Sequence, residues 1–127
     1  MPLVTITVRK PKTAAFKSAV LEAVHGSLVA AGVPEADRFQ RVIELDAGDF
    51  RFDARYPDVE RPRTDDFTLI EVLFSVGRSV KVKRKILADI VAALRKDPGL
   101  HPDDVFVVFK ETQWENWAFA GGRQVHA

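Results

Sequence analysis

The chain has 127 residues, a formal net charge of +1 and no cysteine. Its length suits about one domain, its charge argues against a dedicated nucleic-acid binder, and the missing cysteine excludes disulfides and thiolate chemistry. The sequence has neither an apolar run long enough to span a membrane nor the pattern of a signal peptide, so we expect a cytoplasmic protein with no membrane partner.

The first third of the chain predicts a strand, a helix and a second strand. Apolar and polar side chains alternate over Leu3–Val8, which predicts a strand starting almost at the first residue. Thr13 is a candidate N-cap, and Gly32 with Pro34 ends the helix that follows. The apolar face of that helix carries Phe16, Val20, Leu21, Val24 and Leu28. Alternation over Phe39–Asp46 predicts the second strand.

The same order of elements is predicted again after a long polar connection at residues 47–66. Phe67–Phe74 is apolar enough for a central strand. Ser79 is a candidate N-cap for a helix reaching about Lys96, and Val105–Phe109 is the fourth predicted strand. The buried stripe of that helix is predicted to hold Ile86, Leu87, Ile90, Val91 and Leu94.

Two consecutive β-α-β units predict an α+β fold with one four-stranded sheet and both helices on one face. We expect a single domain over residues 1–127, with an internal repeat at 1–46 and 67–110 and an aromatic tail at 111–127. The other face of the sheet would then be bare, which predicts an oligomer. The alternative is a monomer in which the connection 47–66 and the tail cover that face.

Few conventional motifs are present. The sequence has no G-x-G-x-x-G and no P-loop, and His25, His101 and His126 lack the spacing of metal ligands, so no metal or cofactor is predicted. We expect His25 at the surface of its helix or partly buried. Asp65-Asp66 and Asp103-Asp104 precede strands and are expected to be turn residues rather than acid–base pairs.

One basic cluster and one terminal residue are candidates for chemistry. The cluster comprises Arg78, Lys81, Lys83, Arg84 and Lys85. Most of it fits a solvated helix face, but Arg78 stands where a strand becomes a helix, and a guanidinium beside a helix N-terminus can bind a carboxylate. Pro2 would carry a free secondary amine, held on a rigid ring, if Met1 is removed.

These pieces, in this order, resemble the tautomerase superfamily, whose members are similar to 4-oxalocrotonate tautomerase. The matching segments are Met1-Pro2-Leu3, Gly32-Val33-Pro34, Asp37-Arg38-Phe39-Gln40, Gly77-Arg78-Ser79 and Trp117-Ala118-Phe119. The malonate semialdehyde decarboxylase group is the most similar branch. The resemblance implies antiparallel halves in a mixed sheet, a homotrimer, and a start of strand one that lies beside the end of strand three.

The resemblance also implies roles for individual residues. Pro2 matches the catalytic proline, Asp37 matches the acidic position of the decarboxylases, and Arg78 matches an arginine that binds the substrate carboxylate. Trp117 and Phe119 resemble the hydrophobic wall of the pocket. From its charge and position alone, Asp37 fits equally well as a loop residue that pairs with Arg38 or Arg41.

The implied activity is keto–enol tautomerisation of a small 2-keto or enol carboxylate. Neutral Pro2 would act as general base, its pKa lowered by Arg78 and by apolar walls that include Trp114. The alternative enzyme is a decarboxylase or hydratase that uses protonated Pro2, although Val76 stands where the decarboxylases have a second arginine. The alternative from another class is a non-catalytic binding module, in which the basic helix and the long 47–66 connection dock an acidic partner or nucleic acid.

Overall fold

The computed structural model describes residues 2–124, which form four strands and two long helices. In chain order these are β1 (Leu3–Arg9), α1 (Ala14–Ala30), β2 (Phe39–Leu45), β3 (Thr68–Ser75), α2 (Val80–Lys96) and β4 (Val105–Thr112). Short 3-10 turns cover Ala47–Asp49, Pro102–Asp104 and Trp114–Asn116. The order strand, helix, strand therefore occurs twice, as the sequence predicts.

Both helices begin at the predicted N-caps. The Thr13 hydroxyl accepts a hydrogen bond from the Phe16 amide at 3.0 Å, and the Ser79 hydroxyl accepts one from the Val82 amide at 3.2 Å. Each hydroxyl satisfies a backbone donor that the first turn of a helix leaves unpaired. The sequence thus specifies where both crossover helices start.

The four strands form one mixed sheet in the order β2-β1-β3-β4. The outer pairs, β1 with β2 and β3 with β4, are parallel, whereas the central strands β1 and β3 are antiparallel. The beginnings of β1 and β2 therefore meet the ends of β3 and β4 at one end of the sheet, which we call the proline end. The other end is called the opposite end.

Both helices pack on one face of this sheet. Val20, Val24 and Leu28 of α1 are fully buried, as are Ile86, Ile90 and Leu94 of α2. Facing them from the central strands are Val4, Ile6, Val8, Ile70, Val72 and Phe74. The prediction that both helices share one face is confirmed, and the period of the apolar residues along each helix determines which side of it packs on the sheet.

The sheet face that points away from the helices is polar in the middle and apolar toward its ends. Lys110 of β4 forms an ion pair with Glu71 of β3 at 2.6 Å, and the Arg41 side chain donates to the Thr5 hydroxyl at 3.0 Å. Both interactions lie on this face. β4 runs three residues beyond the predicted end, because Lys110, Glu111 and Thr112 still pair with β3, while their polar side chains interrupt the apolar pattern from which the strand is predicted.

Aromatic residues from the connection and from the tail reach the two ends of that face. Phe52 lies 4.3 Å from the Phe67 ring centroid at the opposite end, and Phe119 stacks on Phe39 at 5.9 Å at the proline end. Phe39 and Phe106 nevertheless stay 50% and 43% exposed. The covering segments proposed for a monomer are thus present, but they leave large apolar side chains uncovered.

Buried Asp104 anchors the connection between β2 and β3 to the start of β4. Its carboxylate accepts hydrogen bonds of 2.7 Å from both the amide and the hydroxyl of Thr64. The neighbouring Asp103 accepts from the amides of Glu60 and Arg61 at 2.9 and 3.2 Å. This aspartate pair therefore binds loop backbone, in agreement with the turn role expected from the sequence.

Candidate active site

The residues predicted for the active site lie at the proline end of the sheet. Pro2 directly precedes β1, Asp37 precedes β2, Arg78 follows β3, and Trp117 and Phe119 follow β4. The mixed strand order causes this convergence, because it brings two strand beginnings and two strand ends to the same edge. Residues far apart in the sequence thus share one region of the molecule.

Pro2 is buried and lines a cavity of about 230 Å³. The other lining residues are Leu3, Phe39, Trp117, Ala118 and Phe119. The Phe119 ring lies between two others, 5.6 Å from the Trp117 ring centroid and 5.9 Å from that of Phe39, and is stacked on both. Three of the six residues that line the cavity, which include Pro2, are therefore aromatic.

Arg78 is half-buried beside the N-terminus of α2. Its guanidinium carbon lies 4.4 Å from the ring centroid of Phe74, and its Nη1 donates to the Ser75 carbonyl at 3.3 Å. Burial lowers the pKa of Arg78 from its ordinary value, while the negative charges of Glu111 and Asp37 partly oppose that shift. The guanidinium still carries its charge near neutral pH, since arginine starts from so high a pKa.

Strand register relates Pro2 to Arg78. Leu3 of β1 pairs with Leu73 of β3 in the antiparallel ladder, so the chain at Pro2 runs alongside Phe74. The Phe74 ring in turn packs against the Arg78 guanidinium. The start of β1 therefore lies beside the end of β3, as the family resemblance implies, and the proline and the arginine flank the same strand ends.

Asp37 lies in the tight loop between α1 and β2. The buried His25 side chain, 3% exposed, donates from Nε2 to the Glu35 carbonyl at 2.8 Å and fixes this loop. His25 is more buried than the sequence suggested, because the loop folds back over the end of α1. The negative charge of Asp37 acts on Arg78, where it opposes part of the lowering of the guanidinium pKa that burial causes.

The two arginines considered as partners for Asp37 have other contacts. Arg38 forms an ion pair with Glu22 at 2.7 Å, which lowers the pKa of that glutamate, and Arg41 binds Thr5 on the sheet face. What relates Asp37 to the candidate site is its charge, which acts on the Arg78 guanidinium.

Other basic residues near Arg78 have structural or solvent-facing positions. Lys83 forms an ion pair with Glu111 at 2.7 Å and Lys85 forms one with Asp89 at 2.7 Å, while Arg84 is exposed. The cluster is thus a solvated helix face apart from Arg78, which agrees with the sequence analysis.

Phe39 and Phe74 belong to the site region although the sequence pattern did not predict a role for them. Phe39 is the first residue of β2 and half exposed, and Phe74 is fully buried under Arg78. The sequence signal for Phe39 is a large aromatic residue at the start of a predicted strand. Phe74 has no such signal, because its place in an apolar strand is typical of an ordinary core residue. Trp114 lies on the turn after β4, 40% exposed and outside the set of residues that line the cavity.

Two further sequence expectations concern ions and membranes. Within residues 2–124, no three His, Cys, Asp or Glu side chains come together as a metal would require. Neither of the two long helices in that range has the length and apolarity needed to cross a bilayer. His126, one of the three histidines considered, and Met1, whose removal matters for Pro2, lie outside the described residues.

The fold that builds this site is that of the tautomerases. A family model described as "Tautomerase enzyme" matches residues 37–120, and the chain belongs to this family. It is 28% identical over 124 residues to the probable tautomerase YusQ of Bacillus subtilis (strain 168), covering 97% of this chain and 96% of that protein.

Solved structures agree with this assignment. A malonate semialdehyde decarboxylase, described as having decarboxylase and hydratase activities, is 30% identical and superposes with a TM-score of 0.88 over 96% of this chain and 93% of its own. A fused 4-OT, described as a symmetric trimer, shares the fold at 24% identity with a TM-score of 0.75 over 95% and 94% of the two chains. The expected superfamily and fold are thereby confirmed.

Proposed function

We propose that this chain is a keto–enol tautomerase acting on a small 2-keto or enol carboxylate, with Pro2 as general base once Met1 has been removed. The supporting observation is the aromatic cavity of about 230 Å³ lined by Pro2, at the sheet end where Arg78 stands. A base for the carbon acid and a cation for the carboxylate are the two groups that such a reaction needs.

In the proposed mechanism Arg78 binds the substrate carboxylate. The neutral Pro2 nitrogen removes a proton from the carbon next to the carbonyl, and the C–H electron pair becomes the C=C bond. The C=O π electrons move to the oxygen, which takes the proton back from the protonated Pro2 nitrogen as the enol forms. The reverse steps convert the enol to the ketone. The reaction is balanced within the substrate and the amine, so the proposal invokes no cofactor.

The remaining residues would position the substrate. Trp117, Phe119 and Phe39 provide flat apolar walls for the part of the substrate that carries no charge. These walls also disfavour the protonated amine and, together with the nearby guanidinium, should lower the pKa of the Pro2 nitrogen. Asp37 would orient a hydroxyl or a water molecule, and Trp114 would border the entrance from the neighbouring turn.

The alternative function is decarboxylation or hydration of a 3-oxo acid. Its support is the 30% identity to the malonate semialdehyde decarboxylase over nearly the whole chain. That chemistry prefers protonated Pro2 as acid or electrophile. Val76, which replaces a second arginine expected from the decarboxylases, favours the tautomerase.

The pH dependence of turnover distinguishes these two functions. With phenylenolpyruvate as substrate, kcat/KM should rise with pH and level off above the pKa of the Pro2 amine, because the active base is the deprotonated form. A decarboxylase that needs the protonated amine would show the opposite slope with malonate semialdehyde. If the protein turns over malonate semialdehyde but not phenylenolpyruvate, and this turnover falls as the pH rises, the tautomerase proposal is wrong and the decarboxylase alternative is supported.

We also propose that the protein assembles as a homotrimer. The exposed ring of Phe39 and the side chain of Ile43 form apolar surface on the sheet face that the helices leave open. The symmetric trimer described for the fused 4-OT has the same fold. The single-domain organisation and the cytoplasmic location stay predictions.

Sedimentation equilibrium of the full chain should therefore give three times the monomer mass of 14.2 kDa. Replacing Ile43 by Glu should weaken the assembly, since it would bury an unpaired charge at the expected interface. A matched Lys81→Glu exchange on the exposed helix face should leave the mass unchanged. A monomer at micromolar concentration would contradict the proposal.

A further inference from the structure

We propose that a second cavity, at the opposite end of the sheet, is a binding site for an aromatic carboxylate, separate from the candidate active site. It has a volume of about 490 Å³, within the range of small-molecule sites. Its aromatic wall comprises Phe50, Phe52, Phe67 and Phe106. Because β1 has seven residues, the two ends of the sheet are roughly 20 Å apart.

The two cavities occupy equivalent positions in the internal repeat. At the proline end, Leu3 of β1 pairs with Phe39 at the start of β2, and both line the first cavity. At the opposite end, Leu69 of β3 pairs with Phe106 near the start of β4, and both line the second. Each cavity thus rests on a leucine and a phenylalanine from neighbouring parallel strands.

The aromatic walls follow the same rule. Trp117 and Phe119 stand five and seven residues after Thr112, the last residue of β4. Phe50 and Phe52 stand at the same two distances after Leu45, the last residue of β2. The repeat therefore forms a similar aromatic cavity at each end of the sheet. Each cavity is covered by the segment that follows an outer strand, β4 at the proline end and β2 at the opposite end.

The second cavity lacks a base. An ordinary internal peptide links Phe67 to Thr68 at the start of β3, so no free amine exists in the place equivalent to Pro2. Lys12 precedes the N-cap of α1 as Arg78 precedes that of α2, but its Nζ donates to the carbonyls of Arg9 and Asp65. We therefore infer binding without turnover.

Charge in the second cavity comes from two other arginines. The guanidinium carbon of Arg63 lies 5.5 Å from the Phe67 ring centroid, and Arg51 also lines the cavity. Asp53 is there too, but its carboxylate accepts hydrogen bonds from the amides of Arg55 and Tyr56, which lower its pKa and occupy one of its oxygens. Two cations against one engaged carboxylate leave an excess of positive charge.

Hydrogen bonds hold the Arg63 guanidinium in place beside the cavity and leave one of its donors unpaired in the described part of the chain. Its Nη1 donates to the carbonyls of Asp53 and Tyr56, which fixes the guanidinium against the ring of Phe67. Its Nε is shielded from solvent and has no hydrogen-bond partner within residues 2–124. An aromatic ligand with one carboxylate would stack on the phenylalanine rings and pair with the guanidinium groups. A purely apolar ligand would leave the guanidinium groups without an anionic partner.

Equilibrium dialysis of the full chain against 2-naphthoate tests this proposal. The wild type should bind two equivalents per chain, one at each end of the sheet. Leu69→Trp, which fills the second cavity, should remove one equivalent and leave phenylenolpyruvate turnover within about twofold of wild type. Phe52→Ala should weaken the second equivalent by about tenfold, the upper range for loss of a ring contact.

Phe119→Ala is the matched control, because Phe119 holds at the proline end the place that Phe52 holds at the opposite end. It should weaken the other equivalent and leave the second site intact. The far-UV circular dichroism of each variant verifies that it folds. One equivalent in the wild type, sensitive only to Phe119→Ala, would overturn the proposal and would also be the result if a neighbouring copy filled the cavity.

Discussion

Replacing Pro2 by alanine is expected to lower kcat/KM for phenylenolpyruvate by at least about 100-fold. Positioned general bases contribute about 10²–10⁴ in rate, and the lower bound applies because alanine still offers a primary amine after Met1 is removed. What alanine loses is the ring that fixes the nitrogen at the start of β1, in the cavity shared with Phe39 and Trp117. A nitrogen that can rotate away from the substrate gives up part of the benefit of positioning.

Pro62→Ala is the control for this experiment, since Pro62 is an exposed residue of the 47–66 connection. Its kcat/KM should equal that of the wild type. The intact mass of each protein must show that Met1 is absent, because a retained methionine turns the Pro2 nitrogen into an amide with no basicity. Unchanged turnover in a Pro2→Ala protein that lacks Met1 would rule out the proposed base.

The local elements of this fold are encoded in short stretches of sequence. The apolar period over α1 and α2 and the hydroxyl caps Thr13 and Ser79 depend on residues at most four positions apart, so they can be read without a structure. The antiparallel pairing of β1 with β3 has no such local signal. That pairing was implied by the resemblance to known tautomerases, and the strand register confirms it.

Contacts between distant residues could not be predicted in the same way. The stacking of Arg78 on Phe74 depends on how the chain turns into α2, and the coupling of Asp37 with Arg78 depends on the loop fixed by His25. The second cavity is a still clearer case. Phe52 reaches Phe67 only because the polar connection folds back over the sheet. Polar composition alone predicts a solvated loop and gives no sign of this contact.

Removing the Arg78 guanidinium is the second change expected to have a large effect. A charge-assisted hydrogen bond contributes about 1.5–3 kcal/mol, so Arg78→Ala should lower kcat/KM by about 10- to 150-fold, mainly through a higher KM. Arg78→Lys should fall between the alanine variant and the wild type, because lysine keeps the charge but loses the planar fork that pairs with a carboxylate.

The pH profile gives an independent measure of the same residue. A positive neighbour disfavours the protonated amine, so loss of the Arg78 charge should raise the pKa of Pro2 and move the rising limb of kcat/KM to higher pH. Arg84→Ala removes an equal charge from an exposed position on the same helix and should leave the profile in place. A higher KM in Arg78→Ala, with the pH profile of kcat/KM unchanged, would mean that Arg78 binds the carboxylate but lies too far from Pro2 to change the pKa of its nitrogen.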